Sequence, residues 1–191
     1  MNLTFEQNKA ISEINNNLQI IACAGSGKTE VITRRIANIL SRYNICPSDV
    51  VAFTFTVKAA ESMKNRINKV LSETYINKKI ININDMYIGT IHSFCFNVLK
   101  NNCQNYKNFK ILNNVTNYLF IKRYHNECGM KELNLDYNSH NANLFIKCIE
   151  KMVDDYANYD SWEKNVQDAF NKYKNCIYSK GYFDFSFLIY E

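Results

Sequence analysis

Leu18-Gln19-Ile20-Ile21-Ala22-Cys23-Ala24-Gly25-Ser26-Gly27-Lys28-Thr29 is an apolar run that breaks into small residues and ends in Gly-Lys-Thr. The run suits a buried parallel strand. The segment after it, Thr29 to Leu40, carries Val31, Ile32, Ile36, Ile39 and Leu40 at helical spacing. A loop between the two opens onto a helix N-terminus, where unpaired backbone N–H groups and the positive end of the helix dipole favour an anion. Gly25 and Gly27 let the backbone wrap a phosphate without a Cβ in the way, and Ala24 and Ser26 complete the cofactor-binding loop. Lys28 offers a point charge to the β- and γ-phosphates of ATP, and Thr29 offers a hydroxyl to Mg²⁺. The pattern G-x-x-x-x-G-K-[ST] would place glycine where Ala22 stands. A strand-to-helix turn without a ligand is the alternative reading, and the flanking strand and helix favour the phosphate-binding P-loop.

At 191 residues the chain can bury a substantial core, and 47% hydrophobic with 14% aromatic residues excludes a disordered tail. No stretch approaches the roughly 18 apolar residues of a membrane span, and the start lacks a basic, then apolar, leader pattern, so a soluble cytoplasmic protein is expected. Seven scattered cysteines without a C-x-x-C pair point to reduced thiols rather than a disulfide framework or a zinc ribbon. The net charge of +5 lies in residues 1–100, with 12 Lys/Arg against 7 Asp/Glu; residues 101–191 carry 11 of each. A basic half fits a polyanion partner and equally an ordinary solvated surface.

Thr4 to Ile14 reads as a short helix. Thr4-x-x-Gln7 has the form of a capping box, while the Gln7 amide, donor and acceptor together, also matches an adenine edge. After a turn at 44–49, Val50 to Phe55 is β-prone, and the helix that follows places Ala60, Met63, Ile67, Val70 and Leu71 on a core face. The strand–helix–strand spacing predicts a parallel pair, and Thr54, Phe55, Thr56 and Lys58 then lie at the carboxyl edge of the sheet. Residues 77–85 read as a polar surface loop. A further strand, Met86 to Gly89, runs into Thr90-Ile91-His92-Ser93-Phe94 and a helix. From about Asn101 helical patterns follow one another at 114–127, 141–157 and 161–179. They carry apolar stripes at Ile146, Ile149, Val153 and Tyr156, and at Trp162, Val166, Phe170 and Tyr173. Gly181 closes the last helix, and 182–190 returns to apolar texture.

The order of these motifs resembles the UvrD/Rep/PcrA-like DNA helicases of superfamily 1. Leu3 to Ile11 looks like their Q motif, Ala22 to Thr29 like their Walker A, Thr54 to Ala60 like motif Ia, and Gly89 to Phe94 like motif Ib. Ala22 is then expected, while Cys23 and Val57 depart from the usual Gly and Asn. The resemblance implies an α/β fold: a partial RecA-like P-loop parallel sheet flanked by helices, with an inserted, mostly helical subdomain. Residues 1–100 would be the N-terminal part of the ATP-binding motor domain, 101–180 the insert, and 181–191 the start of the return to the motor domain. It also implies that Gln7 contacts adenine, and that Thr54, Phe55, Lys58, Thr90 and His92 line a single-stranded DNA track with Phe55 stacking on a base. The Walker B carboxylates and the second motor domain of this pattern would come after Glu191. The expectation is therefore an ATP-binding part of a DNA helicase that does not hydrolyse ATP alone and acts with the missing remainder, in the same chain or a partner. The alternative is a non-catalytic nucleotide- or single-strand-binding module.

Overall fold

A computed structural model describes residues 3–43, 45–74 and 81–191, and they fall into two compact units, 1–94 and 95–191, each with its own core. In the first unit the order is α1 (Phe5–Ser12), α2 (Lys28–Arg42), β1 (Val51–Phe53), α3 (Val57–Thr74) and β2 (Tyr87–Gly89). α4 (Ile91–Asn102) follows, and the unit boundary falls within it. β1 and β2 are parallel, with Val51 opposite Tyr87 and Phe53 opposite Gly89, as a strand–helix–strand crossover requires. Alternation along β1 turns Ala52 inward, where Ile36, Ala37 and Leu40 of α2 and Met63, Ile67 and Leu71 of α3 cover it. The face expected for α3 is thus the buried one.

Three expectations change. Residues 18–22 are not a strand: no strand pairs with them among the described residues, and Leu18, Ile20 and Ile21 are exposed. A parallel strand exists only where neighbours take up its N–H and C=O groups and cover both faces, so an apolar run without them stays irregular. On α2, Ile32 is exposed, because the helix turns Thr33, Ile36, Ala37 and Leu40 to the core and leaves the next position outside. Asn44 and residues 77–80 lie outside the described residues. Within the rest of the loop expected at 77–85, Ile83 is buried in a short 3₁₀ turn at Ile83–Asp85 and belongs to the core.

The second unit contains β3 (Lys110–Ile111), α5 (Asn114–Tyr124), α6 (Ser139–Asp154), α7 (Lys164–Ser179), β4 (Tyr182–Phe183) and α8 (Phe185–Tyr190). β3 pairs with β4 in parallel, Ile111 opposite Phe183. The core brings Phe120 and Ile121 together with Phe145, Ile149, Phe170, Tyr173, Ile177 and Phe187. On α6 the buried line runs Ala142, Phe145, Ile149 and Met152 rather than through Tyr156. The helix ends at Asp154, and Tyr156 stands in the turn beyond, with its ring stacked 5.4 Å from that of Phe170. One polar cluster is sealed inside. Asp184 caps α8 by accepting from the Phe187 N–H at 2.8 Å, and its second oxygen accepts from the Tyr173 hydroxyl at 2.7 Å. That hydroxyl has one hydrogen, so the Asn117 side chain, 3.0 Å from the phenol oxygen, presents its NH₂ to it. No helix among the described residues is long and apolar enough to cross a membrane.

Candidate functional site

Gly27 is the N-cap of α2 at φ 83°, and Gly25 stands at φ 78°, a backbone region that residues with a Cβ rarely enter. This pair of left-handed turns makes the chain double back at 23–27 and open directly into a 15-residue helix. The first N–H groups of α2 therefore end at the loop with no intrahelical partner. Lys28, the first helical residue, folds its ammonium over the loop and donates to the Ala22 carbonyl at 2.8 Å and the Cys23 carbonyl at 2.6 Å. Ser26 ties the turn by donating from its hydroxyl to the Cys23 carbonyl at 2.7 Å. The Thr29 side chain is exposed in the first helical turn, next to Lys28. Loop amides, an ammonium held only by carbonyl oxygens and an adjacent hydroxyl are the donor set that a triphosphate with Mg²⁺ needs. The residues present fit that group.

The capping reading of Gln7 holds. Its backbone N–H donates to Thr4 Oγ1 at 3.2 Å and its amide oxygen accepts from the Thr4 N–H at 2.9 Å, which completes the capping box of α1. The same side chain reaches 19 residues along the chain to donate from Nε2 to the Ser26 carbonyl at 3.1 Å. Gln7 thus joins α1 to the phosphate loop. Beside it a cleft of about 280 Å³ is walled by Ala10, Ile20, Ile21 and Val31, with Thr4, Glu6, Gln7, Ser26 and Lys28 as its polar groups. Apolar walls with a few convergent polar groups are what a planar base attached to a phosphate chain would fill.

Sequence reasoning missed what holds α1 there. The helix has no buried residue, so burial contributes little to its position. Instead the Arg35 guanidinium donates to the Ala10 carbonyl at 2.6 Å and to that of Glu13, and Asn38 Nδ2 donates to the Ile11 carbonyl at 3.2 Å. The visible signal is a pair of polar residues, Arg35 and Asn38, flanking the apolar core line of α2.

The DNA-track residues named from the resemblance sit at one edge of the β1/β2 pair. Because Phe53 lies opposite Gly89, the segments 54–58 and 90–92 leave the sheet at the same end. Phe55 is fully exposed, and Lys58 and His92 are also on the surface. The two threonines have local duties. Thr54 donates from N to the Gly89 carbonyl at 2.9 Å and from Oγ1 to the Thr56 carbonyl at 3.0 Å. Thr90 Oγ1 accepts from the Ser93 N–H at 3.2 Å at the start of α4. A trio of aromatic rings secures this edge: Phe94 lies 5.3 Å from Phe53 and 5.0 Å from Tyr87, and the Tyr87 hydroxyl donates to the Thr90 carbonyl at 2.9 Å. Nothing local in the sequence joins Phe94 to Phe53, 41 positions earlier.

The UvrD/REP helicase N-terminal domain family model matches residues 3–191. The chain is 29% identical over 184 residues to an ATP-dependent DNA helicase PcrA of Staphylococcus epidermidis, covering 95% of this chain and 23% of that protein. It is 31% identical over 170 residues to the PcrA of Leuconostoc citreum, covering 87% of this chain and 21% of the relative. To the PcrA of Staphylococcus aureus it is 29% identical over 177 residues, covering 91% and 22%. The chain thus spans less than a quarter of the length of these relatives.

Proposed function

The chain belongs to the UvrD/REP helicase family, matching its N-terminal domain, and on that premise we propose that residues 1–191 are the ATP-binding part of a cytoplasmic DNA helicase that moves along single-stranded DNA. The observation that carries this reading is the loop at 23–29, where two left-handed glycines lead into α2 and the Lys28 ammonium rests on two carbonyls. Lys28 exchanges those carbonyls for the β- and γ-phosphate oxygens, Thr29 supplies a hydroxyl to Mg²⁺, and Ala24 to Gly27 supply backbone N–H groups. Gln7, already bonded to the loop, turns its amide to the adenine edge in the cleft beside it. Held by Lys28 and Thr29, Mg²⁺ and ATP would supply charge-neutralised phosphates for phosphoryl transfer. At the sheet edge, Phe55 stacks on a base, Lys58 meets phosphate, and Thr54, Thr90 and His92 contact the strand. The carboxylates that hold Mg²⁺ and orient water come from the remainder of the helicase, so these 191 residues bind nucleotide without comparable turnover.

Titration with a fluorescent ATP analogue and Mg²⁺ tests the first half, and anisotropy with labelled oligo-dT the second. Lys28→Ala is expected to weaken nucleotide binding at least about tenfold and leave DNA binding in place. Phe55→Ala removes one stacking platform of roughly 1–3 kcal/mol and weakens DNA binding about 5- to 150-fold with nucleotide binding unchanged. Equal affinity of wild type and Lys28→Ala for the nucleotide would overturn the assignment of the loop. Turnover at the rate of a complete motor, lost in Lys28→Ala, would overturn the claim about hydrolysis.

A further inference from the structure

Two of the seven cysteines, 48 residues apart in the chain, meet in the core of the second unit: Cys128 Sγ lies 3.5 Å from Cys176 Sγ. The approach is built by the backbone around them. Cys128 lies in the turn after α5, and the next residue, Gly129, passes so close to α7 that a Cβ on it would stand 2.7 Å from the Ala169 carbonyl oxygen. Two ion pairs clamp the same segment to α7 and its end, Glu132 with Lys172 and Glu127 with Lys180, the latter at 2.7 Å. Cys128 is fully buried. Cys176 reaches the floor of an open cleft of about 470 Å³ whose walls include Glu127, Lys172, Asn175 and Ser179.

We propose that Cys128 and Cys176 are a reversible oxidation site, which a hydroperoxide converts to an intrachain disulfide. Neither residue belongs to the phosphate loop or the DNA-facing edge, and the proposal stands apart from the helicase reading. Cys176 is the sulfur oxidised first, because it alone of the pair borders the cleft. The hydrogen bond shared with Cys128 holds its thiol below the ordinary value, and Lys180 acts in the same direction, against burial and the charge of Glu127. The Cys176 thiolate attacks a peroxide oxygen, an S–O bond forms as O–O breaks, and the departing oxygen takes the proton and leaves as water or an alcohol. The Cys128 sulfur then attacks the Cys176 sulfenic sulfur, S–S forms as S–O breaks, and the hydroxide leaves as water with the Cys128 proton. Two thiols are oxidised, one peroxide is reduced, and the sulfurs close from 3.5 Å to about 2 Å.

The test uses the full chain, reduced, exposed to hydrogen peroxide, then alkylated under denaturant and digested with trypsin. Cleavage leaves Cys128 in peptide 124–131 and Cys176 in peptide 175–180. The expected product is these two peptides joined, two hydrogens lighter than their reduced sum and separated again by dithiothreitol. The thermal midpoint is expected to rise on oxidation, fall back on reduction, and stay still in Cys128→Ala and Cys176→Ala. Full alkylation of both peptides at a peroxide dose that oxidises the exposed Cys23 and Cys46 would overturn the proposal. So would sulfinic acid at Cys176 without the link, or a link from either cysteine to a different one. The peptide map is read on the unsubstituted chain, so it decides the matter even if a variant does not fold.

Discussion

Gly129 stands at φ 90° with the place of a Cβ already taken by the backbone of α7, so it is constrained both by its own conformation and by its neighbour. Gly129→Ala is expected to cost about 2–4 kcal/mol, combining left-handed strain with overpacking against a carbonyl that cannot yield, and urea unfolding measures it. Asp184 is the other residue whose burial has a measurable consequence. Loss of solvent pushes its carboxyl above the usual range, against the bonds from Phe187, Tyr173 and Ser186 that stabilise the charge. A carboxyl raised on folding binds its proton more readily in the native chain. Its contribution to stability is therefore fully present below the unfolded value and is lost as pH rises through the folded one. Comparing the pH dependence of unfolding in wild type and Asp184→Asn isolates this term, and the variant should lack it while keeping the α8 cap. The glycine turn into α2 could be read from sequence because Gly25 and Gly27 are the residue type that left-handed backbone favours. The Asn117–Tyr173–Asp184 cluster could not, since its members lie up to 67 positions apart and nothing local marks them as partners.

Among the elements, α1 depends most on polar contacts. With no side chain buried, it is held by its own capping box, by Gln7 on Ser26, and by Arg35 and Asn38 on its last carbonyls. Arg35→Ala is expected to remove roughly 1–3 kcal/mol of local stabilisation, strip hydrogen-exchange protection from residues 8–13 while sparing α2, and weaken the fluorescent nucleotide severalfold through Gln7. The helices were legible in the sequence because each satisfies its own i to i−4 bonds and its apolar spacing needs only one covered face. Even the displaced stripe on α6 left the helix itself correctly placed. The strand-prone run at 18–22 was legible only as an apolar run, since a strand is completed by partners that its own residues do not name.

For the whole molecule, two cores predict unfolding that is not a single step. Trp162 is the one tryptophan, and it packs against the second unit's core, so its fluorescence follows that unit alone, whereas far-ultraviolet circular dichroism follows the helices of both. The two signals are expected to give separate urea midpoints, and Gly129→Ala should shift the fluorescence transition while leaving the α2–α3 contribution in place. The sequence by itself determined the family, the glycine turn that opens into α2 and the helices, because these rest on residue type and on contacts within a few positions. Only the tertiary structure decided that 51–53 pairs with 87–89 and 110–111 with 182–183. It also decided that Arg35 seats α1, and that Cys128 meets Cys176. Each of these is a contact between distant residues, chosen by which surfaces the packed elements bring together, and no local pattern specifies it.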